Sequence, residues 1–511
     1  MTRKSLVLLT VCLAALTINI STTIVNITLP TLAVELDAST RSLLWVVDGY
    51  NLAFAALVLA MGSLSDRFGR RPALVLGLAG FALSSAGAAL VDSSGALIAL
   101  RFAMGAFAAV IFPTTLSIIA NTFTERRERA AALGLWGASV GIGVAIGPVG
   151  GGVLLTHYSW HSVFWALVPI CVLTIAMAVA FVPESRDPAV PRIDRPGFVI
   201  SVAALGGLTW TIIEAPQHGW GSWETVTGLA AAAVLVVAFV LVERAVDHPM
   251  IDVTLFLDRR FSAACAAVTI AFFALFGFIF LITQCFQLVR DDTPLETGLR
   301  FLPVAVSIAV ASILGARFAP RIGTKAVVTP GLVLMGAAFL WISTVAPDVA
   351  YATVVVPQMV MLGVGIGLVS TPATESIMQV LPPARAGVGS AVNDATRELG
   401  GTLGVAVVGS IFSFQYGEKL LAAVQGQVDG PTARQAAESV GFARAMAAQV
   451  PGLESAVDGA FLDGFALACT VVGVLCLLGA VAAAVSLPGD RYDPLAEEGA
   501  LADESGPAVR A

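Results

Sequence analysis

The stretch from Gly134 to Gly152 reads "GLWGASVGIGVAIGPVGGG" and decides the fold. Glycine weakens a helix interior by about 1 kcal/mol per residue relative to alanine, and proline removes a backbone hydrogen bond. The stretch nevertheless lies inside an apolar segment long enough to form a buried helix. Glycines are useful there because they leave no side chain in the way when a second helix approaches to backbone contact. The stretch therefore predicts a bent, smooth-faced helix within a larger helical assembly.

The composition places the chain in a lipid environment. Of its 511 residues, 57% are hydrophobic and 12% are charged, and its mean hydropathy is +0.88. Soluble proteins carry about 25% charged residues, so this chain has too few charges to build a water-covered surface. The charges that are present lie mainly in short loops and in a tail, and we expect no nucleic-acid partner. The chain is therefore predicted to be an all-α membrane protein.

Residue types that carry chemistry are scarce. Three of the four histidines lie outside the apolar segments and His161 lies at the very start of one, while the six cysteines lie inside them without a CxxC pair. Cysteines in such positions ordinarily serve as small apolar packing residues. We therefore expect no metal site, no cofactor and no enzymatic activity.

Fourteen segments are long and apolar enough to cross a bilayer, which takes about 20 residues in a helix. The first follows Arg3 and Lys4, and we expect it to stay as a membrane helix rather than to be removed as a signal peptide. An even number of spans puts both ends of the chain on one side. The predicted spans are 5–29, 43–64, 72–91, 95–120, 130–155, 160–182, 196–214, 225–243, 261–289, 299–317, 326–345, 352–380, 386–417 and 464–487.

The positive charges support this count. With the first residue in the cytoplasm, 21 of the 28 lysines and arginines are assigned to the cytoplasmic side, including those at the cytoplasmic ends of spans, 6 are assigned to the outside, and Arg101 is assigned to the interior of a span. Cytoplasmic loops of membrane proteins carry such an excess of positive charge. We therefore predict a multi-pass protein of the cytoplasmic membrane with both termini in the cytoplasm.

Two segments outside the spans are unusual. Residues 418–463 are alanine-rich and amphipathic, which predicts short helices lying on the outer surface. The tail at 488–511 is acidic and contains glycine and proline, which predicts disorder. Neither segment offers room for a catalytic domain.

The loop between the second and third spans reads "GSLSDRFGRRPAL", at 62–74. A generic positive loop would explain its arginines but not their spacing. The segment resembles the signature loop of the major facilitator superfamily, G-x-L-x-D-R-x-G-R-R/K. A weaker echo, "APRIGTK" at 319–325, has Pro320 in place of the aspartate and indicates an internal repeat. The motif is carried by Gly62, Asp66, Arg67, Gly69 and Arg70.

The opening stretch resembles a second motif of this superfamily. Its spacing is that of the helix-5 motif of drug and antibiotic antiporters, G-x8-G-x3-G-P-x2-G-G. The stretch at 387–410, "GVGSAVNDATRELGGTLGVAVVGS", resembles the branch with fourteen helices. A static packing face would explain scattered glycines, whereas the whole pattern favours a contact on which two halves rock. The residues of the motif are Gly134, Gly143, Gly147, Pro148, Gly151 and Gly152.

The resemblance covers nearly the whole chain. It implies a major facilitator fold of two pseudo-symmetric six-helix bundles with two inserted helices, and hence domains at 1–190, 191–250 and 251–487, followed by the tail at 488–511. It also implies export of amphipathic drugs in exchange for protons. We expect the protein to work as a monomer in the bilayer. The alternatives are a dedicated exporter of one metabolite and a membrane sensor that has lost transport.

One departure from the family changes where a proton is expected to bind. Many relatives read L-D-x-T-I-V-N near the end of the first span, whereas this chain reads "ISTTIVN" with Ser21 in place of the aspartate. Asp48 and Arg101, in the second and fourth spans, lie at similar depths. A buried carboxylate beside an arginine can load and release a proton as its surroundings change. The alternative is a fixed ion pair between Asp48 and Arg101.

Other ionisable residues are weaker candidates for proton coupling. Glu214 and Asp463 lie near outer helix ends, where we expect water to solvate them. Asp394, Arg397 and Glu398 are three to four residues apart and can share one helix face, as a gating network at the cytoplasmic end of the thirteenth span. The remaining candidate is Glu375.

A substrate cavity is expected between the bundles near the middle of the membrane. Aromatic and methionine side chains adapt to varied ligands, although the same residue types also face lipid or core. The cavity candidates are Trp136, Met104, Phe112, Phe276, Gln284 and Met361.

Overall fold

A computed structural model describes residues 3–186, 194–246, 249, 252–344, 349–380, 386–425, 428–448 and 453–487. The tail at 488–511, for which the sequence predicts disorder, lies outside the described residues. The helices are α1 (Arg3–Glu35), α2 (Thr40–Phe68), α3 (Arg70–Ala88), α4 (Ser94–Thr122), α5 (Arg126–His157), α6 (His161–Trp165), α7 (Leu167–Phe181), α8 (Arg195–His218), α9 (Trp223–Ala245), α10 (Arg259–Gln284), α11 (Pro294–Arg300), α12 (Leu302–Ile322), α13 (Thr324–Ile342), α14 (Val356–Gln379), α15 (Ala386–Ala423), α16 (Gly430–Glu438), α17 (Val440–Ala447) and α18 (Leu453–Ser486).

The described helices account for the fourteen predicted spans. Thirteen spans are long and apolar enough to cross a membrane, and α2, which bends by 57° between Val58 and Ala60, makes the fourteenth. Two spans combine two helices each, α6 with α7 and α11 with α12, and π-helical turns extend α10 and α14. The last span begins at Leu453 rather than at the predicted 464, because its first turns form a helical extension that carries Glu454 and Asp458.

The helices pack as two halves with one pair between them. The first half comprises α1–α7, the inserted pair comprises α8 and α9, and the second half comprises α10–α18. In the first half α1 packs on α5 and α2 on α4, and in the second half α10 packs on α15 and α12 on α14. Equivalent helices therefore pair in the two halves, as an internal repeat requires.

Two tight turns mark equivalent positions in the repeat. Gly69 joins α2 to α3 with a φ of 121°, and Gly323 joins α12 to α13 with a φ of 91°. Side chains rarely adopt such positive φ values, so glycine is required at both turns. The echo of the signature loop therefore preserves its turn, although Pro320 has replaced the aspartate.

The helices run between two ends of the molecule, which we call the arginine-rich face and the opposite face. The arginine-rich face carries the start of α1 and the turns at Gly69 and Gly323. The opposite face carries the end of α1, the start of α2 and the segment between α15 and α18. This naming makes no assumption about which face meets the cytoplasm.

The inserted pair is attached mainly through α8. Trp210 of α8 packs on Trp45 of α2 with ring centroids 5.6 Å apart, and Ser410 of α15 donates a hydrogen bond to the Ile212 carbonyl at 2.6 Å. Glu214 is buried and pairs with Arg41 of α2 at 2.5 Å. The prediction that water solvates Glu214 is therefore wrong, because α8 ends against α2 rather than in a free loop.

The segment between α15 and α18 forms a hairpin of two short helices, α16 and α17, at the opposite face. Ser439 donates a hydrogen bond to the Ala38 carbonyl of the first half, and Gly441 packs against Ala33 at the end of α1. Arg444 donates to the Leu288 carbonyl of the second half. The hairpin therefore touches both halves at once instead of only lying on the surface.

We predict that Gly69→Ala lowers the free energy of unfolding by about 1–3 kcal/mol, because an alanine side chain is strained at this φ. Thermal unfolding of the detergent-solubilised protein measures the change. Gly95→Ala is the matched control, since Gly95 of α4 has open space around it and no positive φ. Equal melting temperatures for both variants would contradict the assignment of strain to this turn.

Candidate functional site

A cavity lies between the two halves, at the middle of the helices. Aromatic rings form much of its wall, and the first half supplies threonines and an asparagine from α1. The second half supplies a charged group from α15. The cavity is lined by Asn19, Thr22, Thr23, Phe54, Phe112, Val144, Phe272, Leu275, Phe276, Ile279, Asp394, Arg397 and Glu398.

Arg397 and Glu398 lie three and four residues after Asp394 on α15, so both are about one helical turn from Asp394. The Arg397 guanidinium lies 4.5 Å from the centre of the Phe272 ring, a cation–π distance. Among the described residues, Arg397 forms no ion pair within 4.0 Å of either carboxylate. Both carboxylates therefore remain available to a cation or a proton in the cavity. The expected gating network lies instead in the wall of the cavity.

The polar lining from α1 was missed by the sequence analysis. Asn19, Thr22 and Thr23 share a helix face, and Asn26 extends that face by one turn. Their side chains donate to carbonyls of α1 itself, for example Asn19 to Ala15 at 2.8 Å and Thr22 to Ile18 at 3.0 Å. Polar residues repeated at helical spacing in an apolar span are the signal that could have found this wall.

Arg101 is fully buried in the first half and is held by neutral groups. Its Nε donates to the Val46 carbonyl at 3.0 Å and its Nη1 to the Ser21 hydroxyl at 3.2 Å. The guanidinium lies 4.3 Å from the centre of the Tyr50 ring, whose hydroxyl donates to the Ile18 carbonyl at 3.3 Å. Ser21, which stands where the resemblance places an aspartate, therefore contacts this arginine. A carbonyl, a hydroxyl and a ring face surround the guanidinium.

Asp48 lies apart from Arg101. It is fully buried on α2, and neither carboxylate oxygen has a hydrogen-bond partner among the described residues. Among the described residues, no ion pair joins it to Arg101. The fixed pair that the sequence left open is therefore wrong. The depths are similar, but Arg101 meets the α2 face that carries Tyr50, and two residues turn a helix by about 200°.

The face of α2 that carries Asp48 points toward the second half. Leu44, one turn before Asp48, packs against Gly409 of α15. Asn51, one turn after Asp48, is also buried, and its side chain has no hydrogen-bond partner within the part of the chain that the structure describes. Unpartnered buried polar groups are costly, so they persist where a change of structure can satisfy them. Asp48 and Asn51 therefore lie where α2 and α15 meet.

Of the six residues that the sequence suggested for the cavity, Phe112 and Phe276 line it. Trp136 lies just behind, with its ring centre 5.0 Å from that of Phe112 and its indole donating to Thr115 at 3.0 Å. The remaining three do not line this cavity: Met104, Gln284 and Met361. Their residue types fit a drug site, but their helix faces point elsewhere.

Glu375 also lies outside the cavity. It is half-buried on α14 and accepts a hydrogen bond from Gln379 at 3.3 Å. Gln379 in turn accepts one from Arg260, which also donates to Ser376 at 2.9 Å. Glu375 therefore belongs to a polar network that joins α10 to α14 at the arginine-rich face.

The helix-5 motif has two different contact faces. A methyl group added at Gly143 would lie 2.8 Å from the Leu16 carbonyl oxygen of α1, and Gly147 and Gly151 continue this contact at Thr23 and Ile24. These three glycines therefore pack α5 closely on α1, within the same half. The expectation that the whole motif forms the contact between halves is wrong for them.

The contact between halves is made by the end of the motif. A methyl group added at Gly152 would lie 2.5 Å from the Pro294 carbonyl oxygen of α11, and one added at Gly298 would lie 2.5 Å from the Pro148 carbonyl oxygen. Two glycines thus bring the backbones of the two halves together at the opposite face. Gly134, in contrast, has no neighbouring atom within 4 Å of an added methyl group.

The signature loop makes local contacts at the arginine-rich face. Asp66 forms an ion pair with Arg70, four residues later, with 2.6 Å between Oδ1 and Nε. Arg67 is exposed. Gly62 lets α2 approach Pro113 of α4, since an added methyl group would lie 3.3 Å from its Cβ. The loop thus fixes how α2, α3 and α4 meet.

Two six-helix halves that share a central cavity and are joined at one face define a membrane transporter. The chain belongs to the Major Facilitator Superfamily, because the model of that family matches residues 11–405. It is 34% identical over 499 residues to the multidrug efflux pump LfrA of Mycolicibacterium smegmatis, covering 95% of this chain and 96% of the relative.

Other relatives are of the same kind. The tetracenomycin C resistance and export protein of Streptomyces glaucescens is 30% identical over 503 residues, with 95% of this chain and 92% of the relative covered. The methyl viologen resistance protein SmvA of Salmonella typhimurium is 30% identical over 484 residues, with 94% and 98% covered. The protein is thus a major facilitator superfamily transporter related to drug efflux pumps.

Solved structures share the fold. A bacterial homolog of the human lysosomal transporter Spinster superposes with a TM-score of 0.69 at 16% identity, covering 97% of this chain and 99% of the other. The xylose transporter XylE from E. coli superposes with a TM-score of 0.59 at 15% identity, covering 97% and 98%.

We predict that Gly143→Ala lowers the free energy of unfolding by about 1–3 kcal/mol, because its methyl group overpacks the backbone of α1. Gly134→Ala is the matched control and is expected to raise this free energy by about 0.5–1 kcal/mol, since its site is open and alanine favours the helix. Thermal unfolding in detergent measures both changes. A stabilised Gly143→Ala protein would contradict the close α1–α5 contact.

Proposed function

We propose that the protein is a proton-coupled exporter of amphipathic drugs or antibiotics that works by alternating access. The observation that supports this proposal is the central cavity, whose aromatic wall faces two carboxylates that form no ion pair with any residue the structure describes. The relatives named above are drug efflux and resistance proteins. Three small polar residues of α1 give the cavity few fixed hydrogen-bonding groups, which favours loose selection of amphipathic molecules over recognition of one metabolite.

In this proposal the aromatic rings and the carboxylates bind different parts of a substrate. Phe112, Phe272 and Phe276 accommodate the apolar part, because ring faces pack against many shapes. Asp394 and Glu398 attract a positive or protonatable group. A proton and a cationic drug compete for the same carboxylates, and this competition couples the two movements.

Asp48 serves as a second proton acceptor in this proposal. Its carboxylate is buried near α15 and meets no hydrogen-bond partner in the described part of the chain, so its ionisation requires water or a new partner. Separation of α2 from α15 supplies both. Protonation of Asp48 then favours the state in which α2 and α15 are packed together.

The number of protons exchanged for each substrate molecule decides how steep a gradient of that substrate the transporter can build. A proton moving inward gains about 2.3 kcal/mol per 100 mV. It gains about 1.4 kcal/mol more for each pH unit. Exchange of one proton for a monovalent cation moves no net charge, so the voltage contributes nothing. Exchange of two protons for a monovalent cation, or of one proton for a neutral drug, moves one net charge and therefore uses the voltage. Two carboxylates in the cavity and Asp48 allow either case.

We place the protein in the cytoplasmic membrane, as a monomer, with both termini and the arginine-rich face in the cytoplasm. The positive-inside rule supports this orientation. The contacts between halves at the opposite face then close the extracellular side of the cavity. We retain 1–190, 191–250, 251–487 and the tail at 488–511 as the proposed domains.

We predict that Asp394→Asn and Glu398→Gln each reduce proton-driven export of ethidium from a pump-deficient bacterial host. Loss of one exchanged proton lowers the attainable drug gradient by about tenfold for each pH unit imposed. Ethidium fluorescence, recorded with and without a proton uncoupler, measures the gradient. Export by the unaltered protein that persists in the presence of the uncoupler would contradict proton coupling.

Glu375→Gln is the matched control, because Glu375 is a half-buried carboxylate of the same half that does not line the cavity. It is expected to retain export. Asp48→Asn is expected to retain drug binding but to lose the dependence of export on pH. Unchanged pH dependence in Asp48→Asn would exclude Asp48 as a proton acceptor.

We also predict that a disulfide between Ala33→Cys and Gly441→Cys stops export by holding the opposite face closed. A methyl group added at Gly441 would lie 2.8 Å from the Ala33 Cβ, so only a small shift reaches the Cβ–Cβ distance of about 3.5–4.5 Å that disulfides need. Export is measured before and after a reducing agent, which is expected to restore it. Each single cysteine variant is the control. Full export by the oxidised double variant would contradict the closure.

A further inference from the structure

Arg101 carries a positive charge that is completely buried in the first half. None of its surface is exposed, and a guanidinium stays protonated in proteins. A charge inside a protein is costly unless an opposite charge and well-placed hydrogen bonds offset that cost. The groups around Arg101 therefore determine whether the chain compensates this charge by itself.

The described contacts of the guanidinium are with neutral groups. Its Nε donates to the Val46 carbonyl, its Nη1 donates to the Ser21 hydroxyl, and the Tyr50 ring lies beside it. The Tyr50 hydroxyl itself donates a hydrogen bond to the Ile18 carbonyl, so it carries a proton and no negative charge. Among the residues that the structure describes, no carboxylate oxygen lies within 4.0 Å of the guanidinium nitrogens.

One nitrogen of the guanidinium also lacks an acceptor. The Nη2 atom of Arg101 is buried, and no hydrogen-bond partner for it is present in the described part of the chain. A buried donor without an acceptor costs free energy, and the cost is larger when the donor is charged. Arg101 therefore needs a negative charge and a hydrogen-bond acceptor, and one bound anion supplies both.

The carboxylates described above do not provide this charge. Asp48 follows Val46 by two residues on α2, which turns its side chain by about 200° away from the carbonyl that Arg101 contacts. Asp394 and Glu398 lie in the cavity wall on the second half, and Arg101 is not among the residues that line the cavity. The described residues therefore leave the counter-charge to a ligand.

Ser21 indicates where such a ligand would bind. It stands where the resemblance places an aspartate, and its hydroxyl oxygen lies 3.2 Å from the Arg101 Nη1. A serine side chain is smaller than an aspartate side chain and has no charge, so this position lacks both the volume and the charge of a carboxylate. A serine hydroxyl can donate to an anion while it accepts from a guanidinium.

We propose that a small monovalent anion of the size of chloride binds beside Arg101 and Ser21 as the counter-ion of the buried guanidinium. The anion accepts hydrogen bonds from the Arg101 Nη2 and from the Ser21 hydroxyl. Thr22, the residue after Ser21, lines the cavity, so the site lies behind the α1 wall. Complete burial of the guanidinium behind that wall favours a single ion over the acidic group of a transported molecule. The inference does not rest on the proposed export function.

The first experiment follows thermal unfolding of the full chain in detergent while chloride replaces gluconate stepwise. The ionic strength is held constant, so the screening of surface charges does not change. We expect chloride to raise the melting temperature by about 2–4 °C and the rise to saturate, because an ion that binds only the folded protein stabilises it. Equal melting temperatures in both salts, or a rise that does not saturate, would contradict the site.

The second experiment supplies the missing carboxylate from the chain. We expect Ser21→Asp to melt in gluconate at the temperature that the unaltered protein reaches in chloride, and to lose the response to chloride. Ser21→Asn is the matched control, because asparagine has the size of aspartate without its charge, and it is expected to melt at a lower temperature in gluconate than Ser21→Asp. Equal melting of these two variants in gluconate, or an undiminished chloride response in Ser21→Asp, would overturn the proposal.

The third experiment measures the ion directly, as binding of radiolabelled chloride to the purified protein in competition with unlabelled chloride. We expect saturable binding to the unaltered protein and its loss in Ser21→Asp, a variant whose fold the melting experiment has already tested. Arg67→Gln, which removes an exposed arginine, is expected to keep the binding. Binding that persists in Ser21→Asp, or that disappears in Arg67→Gln, would contradict a chloride site at Arg101.

Discussion

The close contact between α1 and α5 is the constraint on which the rest of the structure depends. Glycines at 143, 147 and 151 remove the side chains that would keep the two backbones apart, so α1 lies against α5 along several turns. This contact sets the rotation of α1. It turns Asn19 and Thr22 into the cavity and at the same time leaves Ser21 beside Arg101. One packing choice therefore fixes both a wall of the cavity and the surroundings of the buried arginine.

The same contact leaves the other face of α5 free. Because α1 takes one stripe of glycines, Gly134 and the non-motif glycines Gly137 and Gly141 face open space, and the end of the helix at Pro148 and Gly152 reaches the second half. The motif thus makes two contacts and leaves one face open, a division that the sequence pattern cannot reveal. The spacing indicates that side chains are absent, and only the packed structure shows what approaches each position.

The membrane spans could be predicted from the sequence because hydropathy reports directly on the solvent of each segment. All fourteen predicted segments correspond to spans. The cavity wall could be predicted only in part, because a span that is apolar all round gives no indication of which face meets lipid. Phe112 and Phe276 were identified by residue type, but so were Met104 and Gln284, which point elsewhere. The sequence placed Asp48 at a depth similar to that of Arg101, because depth follows from counting residues along a span. It did not place Asp48 on the correct side of α2, because the rotation of a helix about its axis does not follow from that count.

The hydrogen bond from Ser410 to the Ile212 carbonyl joins residues 198 positions apart in the chain. During synthesis α8 and α9 leave the ribosome long before α15, their main partner in the second half, exists. At about 5–20 residues per second this delay is about 10–40 s. Throughout that interval the hairpin of inserted helices must wait in the lipid, attached only to α2. The biogenesis of this transporter thus requires a hairpin that is stable by itself in the bilayer, and α9, which contacts little besides α8, suits that requirement.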